Sequence, residues 1–235
     1  MLILQSFEPA FGLPSPSAYC MKAICLLNMS GLAWRLDFDA NVDNAPRRKF
    51  PVLVDGTSVI PDSTDIARYL EREKGCDFMP ELTREEKAVS HTISRMIEEH
   101  LVHGLVYDRW LLDDIWPDLS AHFFTNAPDG VSEMVREHVR TGLEIQGTGR
   151  MTPKEVVLRM SDDFDALEDL LGNKPFLFGD EPTYADACAA PFLLSIMSPY
   201  KGTLLQQELE VRKTLLAYAE RVRSEVMMDL AARAA

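Results

Sequence analysis

Cysteine is scarce and unpatterned in this sequence: Cys20, Cys25, Cys76 and Cys188 are the four in 235 residues, and they form no Cys-x-x-Cys pair and no zinc-like set. That excludes the disulfide framework on which small secreted domains rely and points to a reducing compartment. Long apolar runs are missing as well. The longest uncharged stretches, such as Ala187 to Tyr200, fall short of the ~20 residues a membrane span requires. The amino terminus lacks a basic segment leading into an apolar run, so a cytoplasmic location with no membrane partner is expected. Positive charge is in deficit, with 24 Lys and Arg against 37 Asp and Glu and a net charge of -13. Such a chain has no basic footprint for nucleic acid or for an anionic lipid surface. Residues 1–80 carry 8 basic against 10 acidic groups, leaving 16 against 27 beyond them, so the acidity belongs to the second part. A Gly-x-Ser-x-Gly elbow, a phosphate-binding loop and a dinucleotide fingerprint are all lacking, which removes the footing for hydrolase and nucleotide chemistry.

What is present is a hydrophobic fraction of 46%, enough for a substantial core in one large or two small domains. Leu2 to Leu4 reads as a short strand, Glu8 to Ser17 as a Pro/Gly/Ser-rich loop, and Ala18 to Met29 as a helix stopped at Gly31. Leu32 to Phe38 alternates as a strand does. After an irregular segment with Pro46, Pro51 to Val54 and Ser58 to Ile60 flank a turn at Asp55-Gly56, a hairpin signal. Ser63 then precedes Ile66, Tyr69 and Leu70, which share a helix face that ends near Gly75. The order is βαβ followed by ββα.

From about Thr83 the pattern is helical throughout. Val89, Ile93, Met96, Ile97, His100, Leu101, Gly104 and Leu105 form one apolar stripe on a long helix. Two capping boxes, Thr152 to Glu155 and Thr183 to Asp186, open further helices. The second leads into Ala187, Ala190, Leu193, Leu194 and Met197, apolar enough to be the buried central helix. Residues 1–76 and 83–235 are therefore expected to form two domains.

This order, together with Lys49-Phe50-Pro51, the Asp62-Ser63 pair and the Thr183 to Asp186 cap, resembles the glutathione S-transferase superfamily across essentially the whole chain. More narrowly, Pro9 to Ser15, Asp108-Arg109-Trp110 and Gln146 to Arg150 look like the bacterial branch related to metaxin and the failed axon connections proteins. The resemblance implies a thioredoxin-like, glutathione-binding domain followed by an all-α domain, glutathione as co-substrate, a small apolar electrophile as second substrate and a homodimer.

Glutathione chemistry needs a thiolate, and a free thiol of pKa ~8.5 is only a few per cent ionised at neutral pH. A hydroxyl donating to the charged sulfur is worth about 1.5–3 kcal/mol, and a helix amino terminus about 0.3–1 kcal/mol more. Ser17, where the loop meets the first helix, is placed to supply both. It also fits a plain N-cap. Ser15 competes for the same role, because the turn itself is not readable, and Cys20, one turn further on, is a packed small hydrophobe before it is a nucleophile. Ser17-Ala18-Tyr19-Cys20 resembles the Cys-Pro-Phe-Cys or Ser-Pro-Phe-Cys segment of related proteins, with Ser17 in the place of the first cysteine. That disfavours mixed-disulfide chemistry and leaves a thiol–disulfide reductase last among the readings.

By resemblance, Pro51 is the cis-proline that exposes the Phe50 backbone to the cysteinyl segment of glutathione. Asp62 and Ser63 hold the γ-glutamyl end, on the free N–H groups of a helix start. Lys49 faces the glycyl carboxylate, and Arg47 and Arg48 either assist it or remain a solvated cluster. The electrophile's pocket is expected between the domains, where Phe11 faces the long helix carrying His103, Tyr107 and Trp110. Trp110 fits a core position equally well. His100 and His103 could be half of a helical metal site, but no third ligand stands at suitable spacing, so no metal is expected. The rival to an enzyme is a non-catalytic binding or assembly protein of the metaxin type, since fold alone does not fix function.

Overall fold

The computed structural model describes residues 1–227; the last eight residues of the expected second domain, 228–235, lie outside the described residues. The chain starts with β1 (Leu2–Gln5), α1 (Ala18–Met29) and β2 (Trp34–Asp37), then β3 (Val52–Asp55), β4 (Ser58–Pro61) and α2 (Ser63–Lys74). The four strands form one sheet in the order β2-β1-β3-β4. β1 and β2 are parallel, with Leu4 opposite Leu36, and are joined by a βαβ crossover through α1. β3 runs antiparallel to β1, with Leu4 opposite Leu53, and pairs with β4 through the Asp55-Gly56 turn. This is the thioredoxin-like arrangement. β3 begins at Val52 because Pro51 has no N–H to give to a ladder.

Helices make up the rest: α3 (Arg84–Arg95), α4 (Val102–Leu111), α5 (Trp116–Phe123), α6 (Val131–Gln146), α7 (Pro153–Leu171), α8 (Tyr184–Ile196), α9 (Leu204–Glu210) and α10 (Lys213–Val222). Their starts are chemically marked. Thr83, Thr152, Thr183 and Thr203 each close a capping box with the residue three positions on. In α8 the cap is also a tie: the Asp186 carboxylate accepts the Leu177 N–H and the Tyr218 hydroxyl, both at 2.9 Å, in a fully buried setting. α8 is buried from Ala185 to Ile196 and packs against α1, α3 and α10, so it is the central helix. The two parts of the chain share one continuous apolar core, in which Ile24, Leu27 and Ile66 join Ala189, Phe192 and Leu193.

One expectation changes in detail. The apolar stripe from Val89 to Leu105 lies on one continuous course of helix, but a π-helical turn at Met96–Leu101 separates α3 from α4. A π turn accommodates one extra residue and rotates the next helix by roughly 100° relative to an uninterrupted course. Glu98 continues the buried face of α3, four and eight residues after buried Ser94 and Ser90, and is only 6% exposed, whereas Glu99 faces out. Further along, Gly104 sits where α4 meets α7, and an added Cβ would come within 2.8 Å of the Met160 side chain.

Asp108 on α4 is buried, and its carboxylate accepts a short hydrogen bond from the Thr203 hydroxyl. Burial pushes this carboxyl up to about 6, against the pull of Thr203 and of the Arg109 charge. The folded chain therefore holds this proton more tightly than the unfolded chain does. The associated stability is complete below the ordinary carboxyl pKa of ~3.9 and is lost as the pH rises through about 6. Asp108→Asn is expected to raise stability near neutral pH by roughly 2–3 kcal/mol and to flatten its decline between about pH 4 and 6. Urea denaturation at both ends of that window measures it; a variant no more stable than the parent near pH 7 contradicts the assignment.

Candidate functional site

The site is a cleft between the first and second parts of the chain. Cis Phe50–Pro51, Pro61 and the Asp62–Thr64 start of α2 form one side, with Tyr19 at the opening of α1, and Arg95, Glu98 and Glu99 of the helical part form the other. Its volume is about 210 Å³. Lys49, Phe50, Pro51, Asp62 and Ser63, scattered over 15 positions of sequence, come together on this one surface.

Local geometry explains why. Asp62 has φ 76° and ψ 136°, a sparsely populated conformation for a residue with a Cβ, and such strain is held only where the surroundings over-determine it. Its N–H donates to the Pro51 carbonyl at 3.2 Å, and its Oδ1 accepts the Thr64 N–H at 2.7 Å. These bonds lock the start of α2 against the Phe50–Pro51 turn. Ser63 lines the cleft yet is only 1% exposed, and its buried Oγ has no hydrogen-bond partner among the described residues. A buried hydroxyl at a helix N-terminus, beside free N–H groups, is suited to an anionic group of a ligand. The Phe50 amide and carbonyl likewise make no backbone hydrogen bond among the described residues. Arg47, at φ 65°, reaches Asp65 at 3.1 Å and borders the cleft with exposed Lys49, whereas Arg48 does not line it.

At the start of α1 the three sulfur-contact candidates differ. Ser15 is fully buried, bonded to the Ser6 hydroxyl and to the Ser17 N–H, each at 3.4 Å. Cys20 is fully buried too, and burial pushes its thiol up despite the Ser6, Ser17 and Ser15 hydroxyls around it. Ser17 is half-buried and is the N-cap of α1: its Oγ accepts the Cys20 N–H at 3.3 Å. That acceptor role leaves its hydroxyl hydrogen as a donor. Ser17 is not among the residues lining the cleft; it stands two positions before Tyr19, which is.

Phe11, His103, Tyr107 and Trp110 do not share one cavity. Phe11 and Trp110 join an apolar cluster around α5 with Ile115, Trp116 and Leu119. His103 approaches Gln146 at 3.5 Å, and the Tyr107 hydroxyl donates to the Met151 carbonyl at 3.0 Å, so both face the end of α6. The Phe11 ring meets His122, and the Phe7 ring meets both Phe50 of the cleft and Phe123 of α5, at 5.1 and 5.4 Å. A row of half-buried aromatic rings thus runs from the cleft toward Phe11. His100 is engaged by Asp163 at 2.6 Å, and no group of three metal-ligating side chains occurs among the described residues.

Sequence reasoning missed the group behind the cleft wall. Lys22 is fully buried; its Nζ lies 2.6 Å from Glu98 Oε1, 2.9 Å from the Tyr184 hydroxyl and 3.2 Å from Thr64 Oγ1. Burial opposes its charge, but Cys188, Glu98 and Tyr184 around it outweigh that and hold the ammonium well above its usual range. Arg95 closes the other side of the Glu98 carboxylate. A signal was available: Lys22 is the one charged residue in the otherwise uncharged helix Ala18–Met29.

A thioredoxin-like domain and a helical region, enclosing a small polar cleft at the turn before β3 and the start of α2, make up the glutathione S-transferase fold. The glutathione S-transferase N-terminal domain model matches residues 18–116, and the glutathione S-transferase C-terminal domain model matches residues 160–222. The chain belongs to the glutathione S-transferase family. It is similar to the isoprene-epoxide–glutathione S-transferase of Rhodococcus sp. (strain AD45), 29% identical over 237 residues that cover 96% of this chain and 99% of that protein. It is also similar to the mitochondrial outer membrane import complex protein METAXIN of Arabidopsis thaliana, 24% identical over 95% of this chain and 72% of that protein. The solved structure of the Ceriporiopsis subvermispora glutathione S-transferase CsGST63524 in complex with glutathione shares the fold, with a TM-score of 0.61 at 17% identity over 94% of each chain.

The buried pair generates a stability prediction. Lys22→Met leaves Glu98 buried with Arg95 alone and is expected to cost about 3–5 kcal/mol. Adding Glu98→Gln, which removes the stranded charge, is expected to return more than half of that loss. Urea unfolding of the two variants decides: a single variant as stable as the parent shows that the pair does not join the two parts.

Proposed function

We propose that the chain is a glutathione-dependent transferase. In this reading residues 1–76 bind glutathione and residues 83–235 frame the second substrate, in a cytoplasmic homodimer. The observation that carries it is the orphaned, buried Ser63 hydroxyl at the start of α2, inside a cleft bordered by Lys49 and the Phe50 backbone. The charges of that cleft suit a tripeptide with two carboxylates and one ammonium. Ser63 and the α2 N-terminus take the γ-glutamyl carboxylate, the exposed carboxylate of Asp62 faces its ammonium, and Lys49 meets the glycyl carboxylate. The Phe50 backbone pairs with the cysteinyl segment as an added strand does. The thiol then extends toward the first turn of α1. There Ser17 donates to the sulfur and keeps it anionic, with help from the helix N-terminus. The second substrate is an apolar electrophile seated along Phe7, Phe123 and Phe11, and the similarity to an isoprene-epoxide–glutathione S-transferase supports that class. No helix among the described residues is long and apolar enough to cross a membrane.

The similarity to METAXIN favours one other reading, a non-catalytic binding or assembly protein on the same fold. A thermal-shift titration with glutathione separates the two, since a ligand at 100 times its Kd adds about 2.7 kcal/mol of stability. Absence of a shift at millimolar glutathione removes the enzymatic reading. In the same assay Ser63→Ala is expected to leave the unliganded protein within about 0.5 kcal/mol of the parent, because its hydroxyl has no partner to lose. Glutathione affinity should fall roughly 10- to 100-fold, the worth of one hydrogen bond to a charged group.

Ser17→Ala is expected to act differently, raising the pKa of the bound thiol by about 1–2 with little loss of affinity. Thiolate absorbance against pH reads it directly. An unchanged titration takes Ser17 out of the mechanism.

A further inference from the structure

The loop from Glu8 to Ser17 is held largely by the helical part of the chain, through its backbone carbonyls. Arg223 Nη2 donates to the Gly12 carbonyl at 2.8 Å, the Ser198 hydroxyl donates to the Phe11 carbonyl, and Arg109 Nη1 donates to the Pro16 carbonyl at 2.6 Å. Arg109 is the unusual member. Its guanidinium is buried inside the protein, its Nη2 donates to the carbonyls of Ser195 and Ser198, each at 2.8 Å, and no carboxylate pairs with it among the described residues. The neighbouring Asp108 gives its carboxylate to Thr203 instead.

Burying a guanidinium against carbonyls alone costs several kcal/mol in desolvation, and that cost is visible in a pKa drawn down to about 10 by burial, against the pull of Asp108. An apolar side chain would fill the space more cheaply, so the charge must be offset by something an apolar group cannot do. It ties two carbonyls at the end of α8 to one peptide group of the loop. The Pro16–Ser17 peptide is planar and is held at both edges: Arg109 binds its C=O, and the Ser15 hydroxyl accepts its N–H at 3.4 Å. Fixing that plane fixes the Cα of Ser17, and the bond from the Cys20 N–H to Ser17 Oγ then fixes the side chain. The other face of the clamp is the end of α8, which is buried from Ala185 to Ile196 and so offers a closely packed reference frame.

We propose that Arg109 is a positioning residue for Ser17. It transmits the geometry of the C-terminal end of α8 to the hydroxyl that meets the glutathione sulfur, and Ser198 assists through the Phe11 carbonyl. The inference rests on the reading of Ser17 as the hydroxyl that donates to that sulfur. It assigns catalytic importance to a side chain that touches neither substrate.

The test is the pH titration of thiolate absorbance for glutathione bound to Arg109→Lys, Ser198→Ala and the double variant Ser17→Ala/Arg109→Lys, with S-methylglutathione as a probe of affinity that carries no thiol. In Arg109→Lys the thiolate fraction at a fixed pH below the thiol pKa should fall about tenfold, with S-methylglutathione affinity unchanged within about twofold. In the Ser17→Ala background the same substitution should add nothing, which a general structural or electrostatic role does not predict. If Arg109→Lys does not fold, Ser198→Ala decides, with a smaller fall in thiolate expected. A folded variant with an unchanged titration, or an Arg109→Lys effect that persists without Ser17, overturns the proposal. Failure of the unmodified protein to bind glutathione overturns the functional reading itself, so the two failures are distinguishable.

Discussion

The buried contact between Lys22 and Glu98 is the constraint on which the rest of the molecule turns. Two charges enclosed in a protein interior are costly unless each finds well-placed partners. Here the ammonium of Lys22 is shared among Glu98, Thr64 and Tyr184, and the carboxylate of Glu98 between Lys22 and Arg95. The participants come from α1, α2, α3, α8 and the π turn that succeeds α3. α1 and the π turn cannot part without stranding a charge, and α2 or α8 cannot move without taking a hydroxyl from the ammonium, so the relative placement of the sheet domain and the helices is fixed at this point more firmly than apolar contacts alone would fix it. The cleft lies immediately in front, with Glu98 and Thr64 on its wall.

That placement divides the labour between the two parts of the chain. The groups suited to meeting glutathione directly, from Ser17 to Lys49, Phe50, Asp62 and Ser63, all belong to the first part. Side chains of the second part hold them: Glu98 from behind α1 and α2, Arg109 and Ser198 along the loop before Ser17, and Arg223 at Gly12. The division also accounts for the charge distribution. Arg47 and Lys49 bring cations to the side of the cleft that also carries Asp62, while Glu98 and Glu99, beside Arg95, line the other. An overall negative chain can therefore still receive an anionic peptide, because local groups outweigh distant screened charge.

In the proposed reading, apolar surface for a second substrate arises where the N-terminal loop meets α5. Phe7 stacks edge-on against both Phe50 and Phe123, and Phe11 against His122. Aromatic side chains left half-buried in a row, next to a polar cleft, offer an apolar ligand area without further folding. The α4 side chains His103 and Tyr107 turn instead to Gln146 and Met151, and Trp110 is absorbed in packing with Trp116 and Phe124.

Much of this molecule was legible in the order of its residues. The extent of α1, the hairpin at Asp55-Gly56, the capping boxes at Thr152 and Thr183 and the buried run of α8 all come from short-range rules: periodicity, turn chemistry and hydroxyl caps act between residues a few positions apart. The Asp62-Ser63 pair could be read in the same way, as the start of a helix. Tertiary structure alone decided what needs distant groups to meet. Lys22 could be seen as a lone charge in an uncharged helix, but its partner stands 76 positions away, and only the packing of α3 and the turn after it against α1 brings the two together. Arg109 could be seen as a surface-type residue in an apolar helix, yet its burial depends on carbonyls 93 and 86 positions distant. Local sequence determines which segments form and how they begin and end; the energetic cost of enclosing a charge is settled only when the chain has closed around it, and that closure determines which side chains face the cleft.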